Sequence, residues 1–75
     1  LPLTNTIYEF YGDFWHGNPK LYPKNKINPL LHLTMEQLYN KTMMREQMFM
    51  SAGYKIISIW EHDYLEIIKR KRGVE

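Results

Sequence analysis

Two runs of β-branched and aromatic residues flank one long amphipathic helix, and this order constrains the fold of the 75-residue chain more than any other feature. The first run, Thr4–Tyr11, predicts a strand whose side chains alternate between two faces. The second, Tyr54–Trp60, contains three isoleucines and predicts a strand buried on both faces. A helix between two strands lets them pair in parallel through a right-handed crossover. We therefore expect one α/β domain over residues 1–75.

The intervening helix has a recognisable start and end. Thr34 and Gln37 form a capping box, and Gly53 is a typical C-terminal stop, which predicts a helix from about Met35 to Ala52. A second helix is expected from about Tyr64 to Lys71, with Asp63 as its cap. The apolar stripe of the first helix consists of Met35, Leu38, Tyr39, Thr42, Met43, Phe49 and Met50.

A long connection separates the first strand from the helix. Trp15–Pro19 predicts an irregular loop, and residues 20–33 hold two prolines and three lysines, which predicts a further loop. We expect apolar packing to hold the loop 17–33. The candidate residues are Leu21, Tyr22, Leu30, Leu31 and Leu33.

Composition excludes several classes of protein. The absence of cysteine excludes disulfides and thiolate zinc sites and fits a reducing compartment. No apolar stretch is long enough to span a bilayer, so we expect a cytoplasmic chain with no membrane partner. Because the net charge is only +2, any contact with phosphate must come from local basic patches.

Glu9 and His16 are the residues with the clearest chemical potential. A carboxylate in mid-strand, between Tyr8 and Phe10, is costly unless it faces water at a sheet edge or is compensated. The alternative is a ligand that, with the backbone carbonyl of Phe10, would suit Mg²⁺. His16 is either a surface histidine or a base that accepts a proton from water. Trp15, next to it, is either a core residue or a stacking residue.

Basic residues occur in two further groups. Lys41 and Arg45 are one helical turn apart and form either a solvated face or a phosphate clamp. The loop lysines Lys20, Lys24 and Lys26 could hold a nucleic-acid backbone.

Three segments together resemble the Vsr-like endonucleases. They are Ile7–Gly17, then Leu38-Tyr39-x-x-Thr42-x-x-Arg45, and finally Gly53-Tyr54 followed by Ile59-Trp60-Glu61. This family comprises the very-short-patch mismatch repair nucleases and their phage and homing-endonuclease relatives, within the PD-(D/E)xK restriction-endonuclease-like fold. The resemblance runs from about Thr4 to Asp63, and the His-Gly-Asn-Pro version looks most like phage-encoded members.

The resemblance implies an activity and a site. It implies a restriction-endonuclease-like core, a small mixed sheet with flanking helices, and Mg²⁺- or Mn²⁺-dependent cleavage of double-stranded DNA in a bacterial or phage-infected cell. Glu9 falls on a metal-binding acid, the Phe10 carbonyl on a backbone ligand, and His16 on the residue that activates water. Phe14 and Trp15 match aromatics that face DNA.

The chain departs from the family at several positions. Tyr11 replaces the lysine of the wider fold, and residues 1–8 hold no counterpart of the first acidic ligand, so we expect an N-terminally truncated fold that binds metal weakly. Asp13 and His62 stand where two zinc-binding cysteines would be, so no structural zinc is expected. Two rivals remain: a degenerate, non-catalytic DNA-binding module of this fold, and a small structural domain. We also expect a homodimer, formed through an exposed strand edge or the apolar loop 27–33.

Overall fold

The computed structural model of the protein describes residues 5–74. It is a mixed α/β arrangement with small sheets and flanking helices, as the sequence predicts. The predicted strand residue Thr4 lies outside the described residues. The elements are β1 (Thr6–Tyr11), α1 (Asp13–His16), β2 (Ile27–Asn28), β3 (Leu33–Thr34), α2 (Met35–Ser51), β4 (Lys55–Trp60) and α3 (Glu61–Val74).

The central feature is a parallel pair of strands. β1 pairs with β4 in a register that runs from Thr6 opposite Lys55 to Tyr11 opposite Trp60. This confirms the parallel pairing predicted from the strand–helix–strand order. The expected single mixed sheet is instead two separate sheets within the described residues, because the short strands β2 and β3 pair antiparallel with each other alone.

Helix α2 begins as predicted and ends one residue before the predicted end. The hydroxyl of Thr34 accepts a hydrogen bond from the Gln37 amide at 3.1 Å, and the Gln37 side chain accepts one from the Thr34 amide at 2.9 Å. Both halves of the capping box are therefore present. Met35, Leu38 and Thr42 are buried on the inner side of the helix.

Four elements differ from the sequence prediction. The short strands β2 and β3 lie in or at the end of the segment 20–33, which the sequence predicts to be a loop. The segment around Trp15 and His16 forms the short helix α1, not an irregular loop. Helix α3 begins at Glu61, directly after β4, so Asp63 lies in its first turn and is not its cap. Strand β4 continues into α3 without a loop, and Asp63 accepts a hydrogen bond from Lys20 at 3.2 Å.

Helix α1 ends at a glycine that no other residue could replace without strain. Gly17 has φ +65°, in the left-handed region, and a Cβ atom there would lie 2.1 Å from the carbonyl oxygen of Met35. Glycine permits both the backbone conformation and the close approach. It thereby lets α1 dock against the first turn of α2.

Buried asparagines, not leucines, hold the loop 17–33. Leu21, Leu30 and Leu31 are exposed, which contradicts the predicted apolar packing, while Tyr22 and Leu33 are half-buried. Asn18 and Asn28 are buried instead. Asn28 accepts hydrogen bonds from the amides of Leu30 and Leu31 and donates to the carbonyl of Phe14, while Asn18 donates to Asp13. Each amide side chain can donate and accept at once, so each closes a turn and anchors it to α1.

The core lies between the parallel strands, α1 and α2. The buried hydrophobic residues described are Tyr11, Met35 and Leu38. Ile57 of β4 is exposed, so the prediction that this strand is buried on both faces is wrong within the described residues. Helix α2 provides the partners of Glu9 and Tyr11 on one face of the sheet, and on the opposite face Tyr8, Phe10 and Ile57 are exposed within the described residues. No helix in the described part of the chain is long and apolar enough to cross a membrane.

Candidate functional site

Strand β1 and helix α1 place Glu9 and His16 against the same helix. The Glu9 carboxylate accepts a hydrogen bond from Arg45, and the His16 ring forms a hydrogen bond with Thr42. Thr42 and Arg45 are three residues apart on α2 and therefore lie on one helical face. The two residues predicted to act together thus lie on the same side of the sheet.

A chain of hydrogen bonds fixes the protonation of the His16 ring. His16 Nδ1 lies 2.9 Å from Thr42 Oγ1, and the Thr42 hydroxyl donates to the carbonyl of Leu38 at 3.0 Å. Because a threonine hydroxyl has one proton, and it is committed to Leu38, His16 Nδ1 must be the donor. In the neutral ring Nε2 is then unprotonated and available as a proton acceptor.

The surroundings of His16 keep the ring neutral near pH 7. Burial lowers the pKa of His16 below its ordinary value of 6.5, the negative charge of Glu9 opposes this, and the positive charge of Arg45 adds to it. The Tyr11 ring lies beside the imidazole, with ring centroids 4.9 Å apart. A neutral imidazole with a free Nε2 is the form required of a general base.

The Glu9 carboxylate is paired with a cation and is not simply solvated at a strand edge. Arg45 compensates its charge through an ion pair in which the carboxylate is the more shielded partner and the guanidinium is half-exposed. The hydrogen bond to Glu9 raises the pKa of Arg45 above its ordinary value. The guanidinium also lies over the ring of Phe49, 5.0 Å from its centroid. Arg45, predicted as a phosphate contact, is thus the partner that makes a carboxylate tolerable on the covered face of β1.

Sequence reasoning missed a second polar contact on this face. Tyr11 is almost fully buried and its hydroxyl donates to the carboxylate of Glu46. Burial, followed by the hydrogen bond to Glu46, strongly raises the pKa of Tyr11. The sequence signal that could have revealed this contact is helical spacing. Thr42, Glu46 and Phe49 are separated by four and three residues, which places Glu46 on the inner face of α2.

A cleft of about 210 Å³ collects several of the predicted residues. Trp15, His16, Lys41 and Arg45 all line it. Thr42 lines the same cleft, together with Leu31 and Leu38. The imidazole of His16, the cationic side chains of Lys41 and Arg45, and the half-exposed indole of Trp15 therefore line the same cleft.

The remaining predicted DNA-binding residues lie elsewhere. Lys20 pairs with Asp63, Lys24 lines a separate cleft beside Tyr22, and Lys26 is exposed on the loop. Phe14 is half-buried and its ring contacts the rings of Trp15 and Tyr22 at centroid distances of 5.3 and 6.1 Å. Phe14 therefore supports the position of Trp15.

The oxygen atoms of β1 are suitable in kind for a hard divalent cation. The Glu9 carboxylate and the adjacent Phe10 carbonyl are the ligand types that Mg²⁺ and Mn²⁺ accept. Among residues 5–74, no three His, Cys, Asp or Glu side chains are grouped so that they could hold a metal ion. The Glu9 carboxylate itself is paired with Arg45.

Hydrogen bonds join the two positions where the resembled family carries zinc-binding cysteines. Asp13 accepts from the Asn18 side chain at 2.8 Å and from the His62 amide at 3.3 Å, and its own amide donates to Glu61 at 3.1 Å. The Asp13 side chain is buried. This cluster connects α1, the loop after it and the start of α3.

Comparison with models of known protein families found no match to this chain. Comparisons with characterised proteins and with solved structures also found none.

Proposed function

We propose that this chain carries the catalytic site of a metal-dependent DNA endonuclease of the Vsr-like type, with a restriction-endonuclease-like core, acting on double-stranded DNA in the cytoplasm of a bacterial or phage-infected cell. One observation carries the proposal. His16 is a neutral imidazole with an unprotonated Nε2, and it shares a cleft with Lys41 and Arg45. A base beside two cations can activate water and stabilise negative charge on a phosphodiester.

Each residue of the cleft has a distinct role in this proposal. His16 Nε2 accepts the proton of the attacking water, and Thr42 holds the ring in the productive tautomer. Lys41 and Arg45 bind phosphate oxygens. Trp15 contacts the bases of the duplex, where an aromatic side chain can insert between neighbouring base pairs.

Glu9 and the Phe10 carbonyl would hold Mg²⁺ or Mn²⁺ in this proposal. When bound, the cation supplies neutralisation of charge on the scissile phosphate. The positive charge of Arg45 beside Glu9 disfavours a cation there, so binding of phosphate by Arg45 would make Glu9 a better ligand.

A second candidate is a non-catalytic DNA-binding module of the same fold. The ion pair between Glu9 and Arg45 favours it, because it gives the Glu9 carboxylate a structural role that needs no metal. In this case Lys41 and Trp15 would still contact DNA through the cleft.

Nicking of supercoiled plasmid DNA distinguishes the two candidates. The nuclease predicts nicking in Mg²⁺ or Mn²⁺ that chelator abolishes, and loss of nicking in His16→Ala with DNA binding nearly unchanged. His32→Asn is the matched control, since His32 is exposed and has φ +58°, a conformation that asparagine tolerates. Binding without nicking in either metal would favour the non-catalytic module. Absence of salt-dependent binding would contradict both and support the small structural domain.

A further inference from the structure

Tyr11 of β1 connects the candidate base to the core. Its side chain is 1% exposed. The Tyr11 ring lies beside the His16 imidazole, with ring centroids 4.9 Å apart and ring planes inclined by 47°. It also packs against the Trp60 ring, at a centroid distance of 5.2 Å. Because Tyr11 is buried, it cannot touch a substrate in the cleft, so any influence on the reaction must act through His16.

The hydroxyl of Tyr11 is held by helix α2. It donates a hydrogen bond to the Glu46 carboxylate. Glu46 follows Thr42, the hydrogen-bond partner of His16 Nδ1, by one helical turn. The same face of α2 therefore holds the edge of the imidazole through Thr42 and the neighbouring phenol ring through Glu46.

The contact with Tyr11 restricts the imidazole in a way that the hydrogen bond to Thr42 does not. That hydrogen bond fixes one atom of the ring, and the χ2 torsion of histidine has broad minima. The ring could therefore tilt about Nδ1 and change the direction of Nε2 if the space beside it were empty. The Tyr11 ring lies on that side. We propose that Tyr11 is a positioning residue that holds the His16 imidazole in one orientation and covers it from water, a role that rests on the proposed function of His16 as the base.

The electrostatics of the site support the same role. Among the described residues, the charged side chains near His16 are Glu9 on β1 and Arg45 and Lys41 on α2. Burial is the largest cause of the lowered pKa of His16, and the uncharged Tyr11 ring provides part of that burial. The Tyr11 hydroxyl also compensates part of the negative charge of Glu46, which would otherwise favour the imidazolium. Both effects favour the neutral ring.

Nuclear magnetic resonance of Tyr11→Phe and Tyr11→Leu tests this role without an assay of cleavage. Tyr11→Phe removes the hydrogen bond to Glu46, and Tyr11→Leu removes the aromatic ring as well. We expect the titration midpoint of His16 to rise towards 6.5 in Tyr11→Phe and to rise further in Tyr11→Leu. Tyr11→Phe keeps the ring that fills the core, so it decides the question if Tyr11→Leu does not fold.

Tyr39 provides the matched control. Its ring contacts the same Trp60 ring, at a centroid distance of 6.2 Å, and has no contact with His16 among the described ring contacts. Tyr39→Phe and Tyr39→Leu should leave the His16 midpoint unchanged, whatever their effect on stability. An unchanged midpoint in Tyr11→Phe, or an equal rise in the Tyr39 variants, would overturn the proposal and leave Tyr11 as a core residue only.

The pH dependence of plasmid nicking connects the midpoint with the reaction. In Tyr11→Leu the acidic limb should move to higher pH by the same interval as the His16 midpoint. Above both midpoints, where protonation no longer limits the rate, the misplaced base should still slow nicking by about 10- to 100-fold. An acidic limb that does not follow the midpoint would show that Tyr11 does not act through His16. If the unmodified chain does not nick DNA, the proposed function fails, whereas the midpoints still decide whether Tyr11 controls the imidazole.

Discussion

The guanidinium of Arg45 on α2 donates to the carboxylate of Glu9 on β1, and this ion pair is the link between the two halves of the candidate site. Arg45 also lines the cleft with His16 and Lys41. A phosphate bound in the cleft would compete with Glu9 for the charge of this guanidinium. In the proposed nuclease, DNA would therefore draw Arg45 away from Glu9, and metal binding and DNA binding would favour each other.

Arg45→Met tests this competition. Removing the guanidinium frees Glu9, so we expect Mn²⁺ to bind about two- to fivefold more tightly in the absence of DNA, the range expected from a half-exposed ion pair. DNA affinity should fall at the same time. Titration calorimetry or electron paramagnetic resonance of Mn²⁺ measures the change in metal affinity.

Lys41→Met is the matched control for Arg45→Met, because Lys41 lines the same cleft and has no ion pair with Glu9 among the described contacts. It should weaken DNA binding and reduce the salt dependence, with metal affinity unchanged. Equal metal affinities in the two variants and the unmodified chain would show that Arg45 does not compete for Glu9.

The pH titration of His16 provides the next prediction. Nuclear magnetic resonance of the ring should give a midpoint below 6.5, because burial disfavours the charged imidazole. Since the folded-state pKa is lowered, His16 adds stability above pH 6.5, and this contribution is lost as pH falls through the folded-state pKa. The free energies of unfolding of the protein and of His16→Gln should therefore converge on acidification. A midpoint above 6.5 would contradict the proposed neutral base.

Thr42→Val removes the acceptor for His16 Nδ1 with little change in volume. We expect the ring to lose its preference for the Nδ1-protonated tautomer, which nitrogen chemical shifts report directly. An unsatisfied polar group at this site should also cost about 1–3 kcal/mol of stability. Thr42→Ser keeps the hydroxyl and should restore the tautomer. If Thr42→Val leaves the tautomer unchanged, the hydrogen bond to Thr42 does not control it.

Gly17→Ala tests the docking of α1 against α2. The substitution places a Cβ atom 2.1 Å from the Met35 carbonyl and adds left-handed strain of about 1–2 kcal/mol. Gly53→Ala is the control, since Gly53 has φ +95° but a Cβ atom added there would meet no other atom within 4 Å. Chemical denaturation should therefore show a clearly larger loss of stability for Gly17→Ala. Similar losses would mean that the close approach to Met35 is not important.

Local sequence signals are sufficient for the longer regular elements. The alternation in β1, the capping box at Thr34 and the strand–helix–strand order predict β1, β4, the start of α2 and the parallel pairing of the two strands. These features depend on hydrogen bonds and side-chain patterns within a few residues. They are therefore visible without tertiary information.

Long-range contacts cannot be predicted from local sequence signals. The sequence does not show that Arg45 pairs with Glu9, 36 positions away, or that Asn28 is buried. Asparagine in a loop usually indicates a solvated turn, and only the close packing of α1 makes Asn28 a buried anchor. The predicted start of α3 is wrong because Asp63 has a capping sequence pattern but forms its contact with Lys20.

The two tryptophans allow a matched test of which aromatic faces DNA. Trp15 is 48% exposed and contacts Phe14, whereas Trp60 is half-buried and its ring contacts those of Tyr11 and Tyr39, at centroid distances of 5.2 and 6.2 Å. Trp60→Ala removes part of the core and should cost about 3–5 kcal/mol of stability. Trp15→Ala should cost much less stability and should lower DNA affinity, because base stacking on an exposed ring contributes about 1–3 kcal/mol. Thermal melting and fluorescence anisotropy with a labelled duplex measure the two effects side by side. A large loss of stability in Trp15→Ala, with DNA affinity unchanged, would assign Trp15 to the core and remove it from the proposed interface.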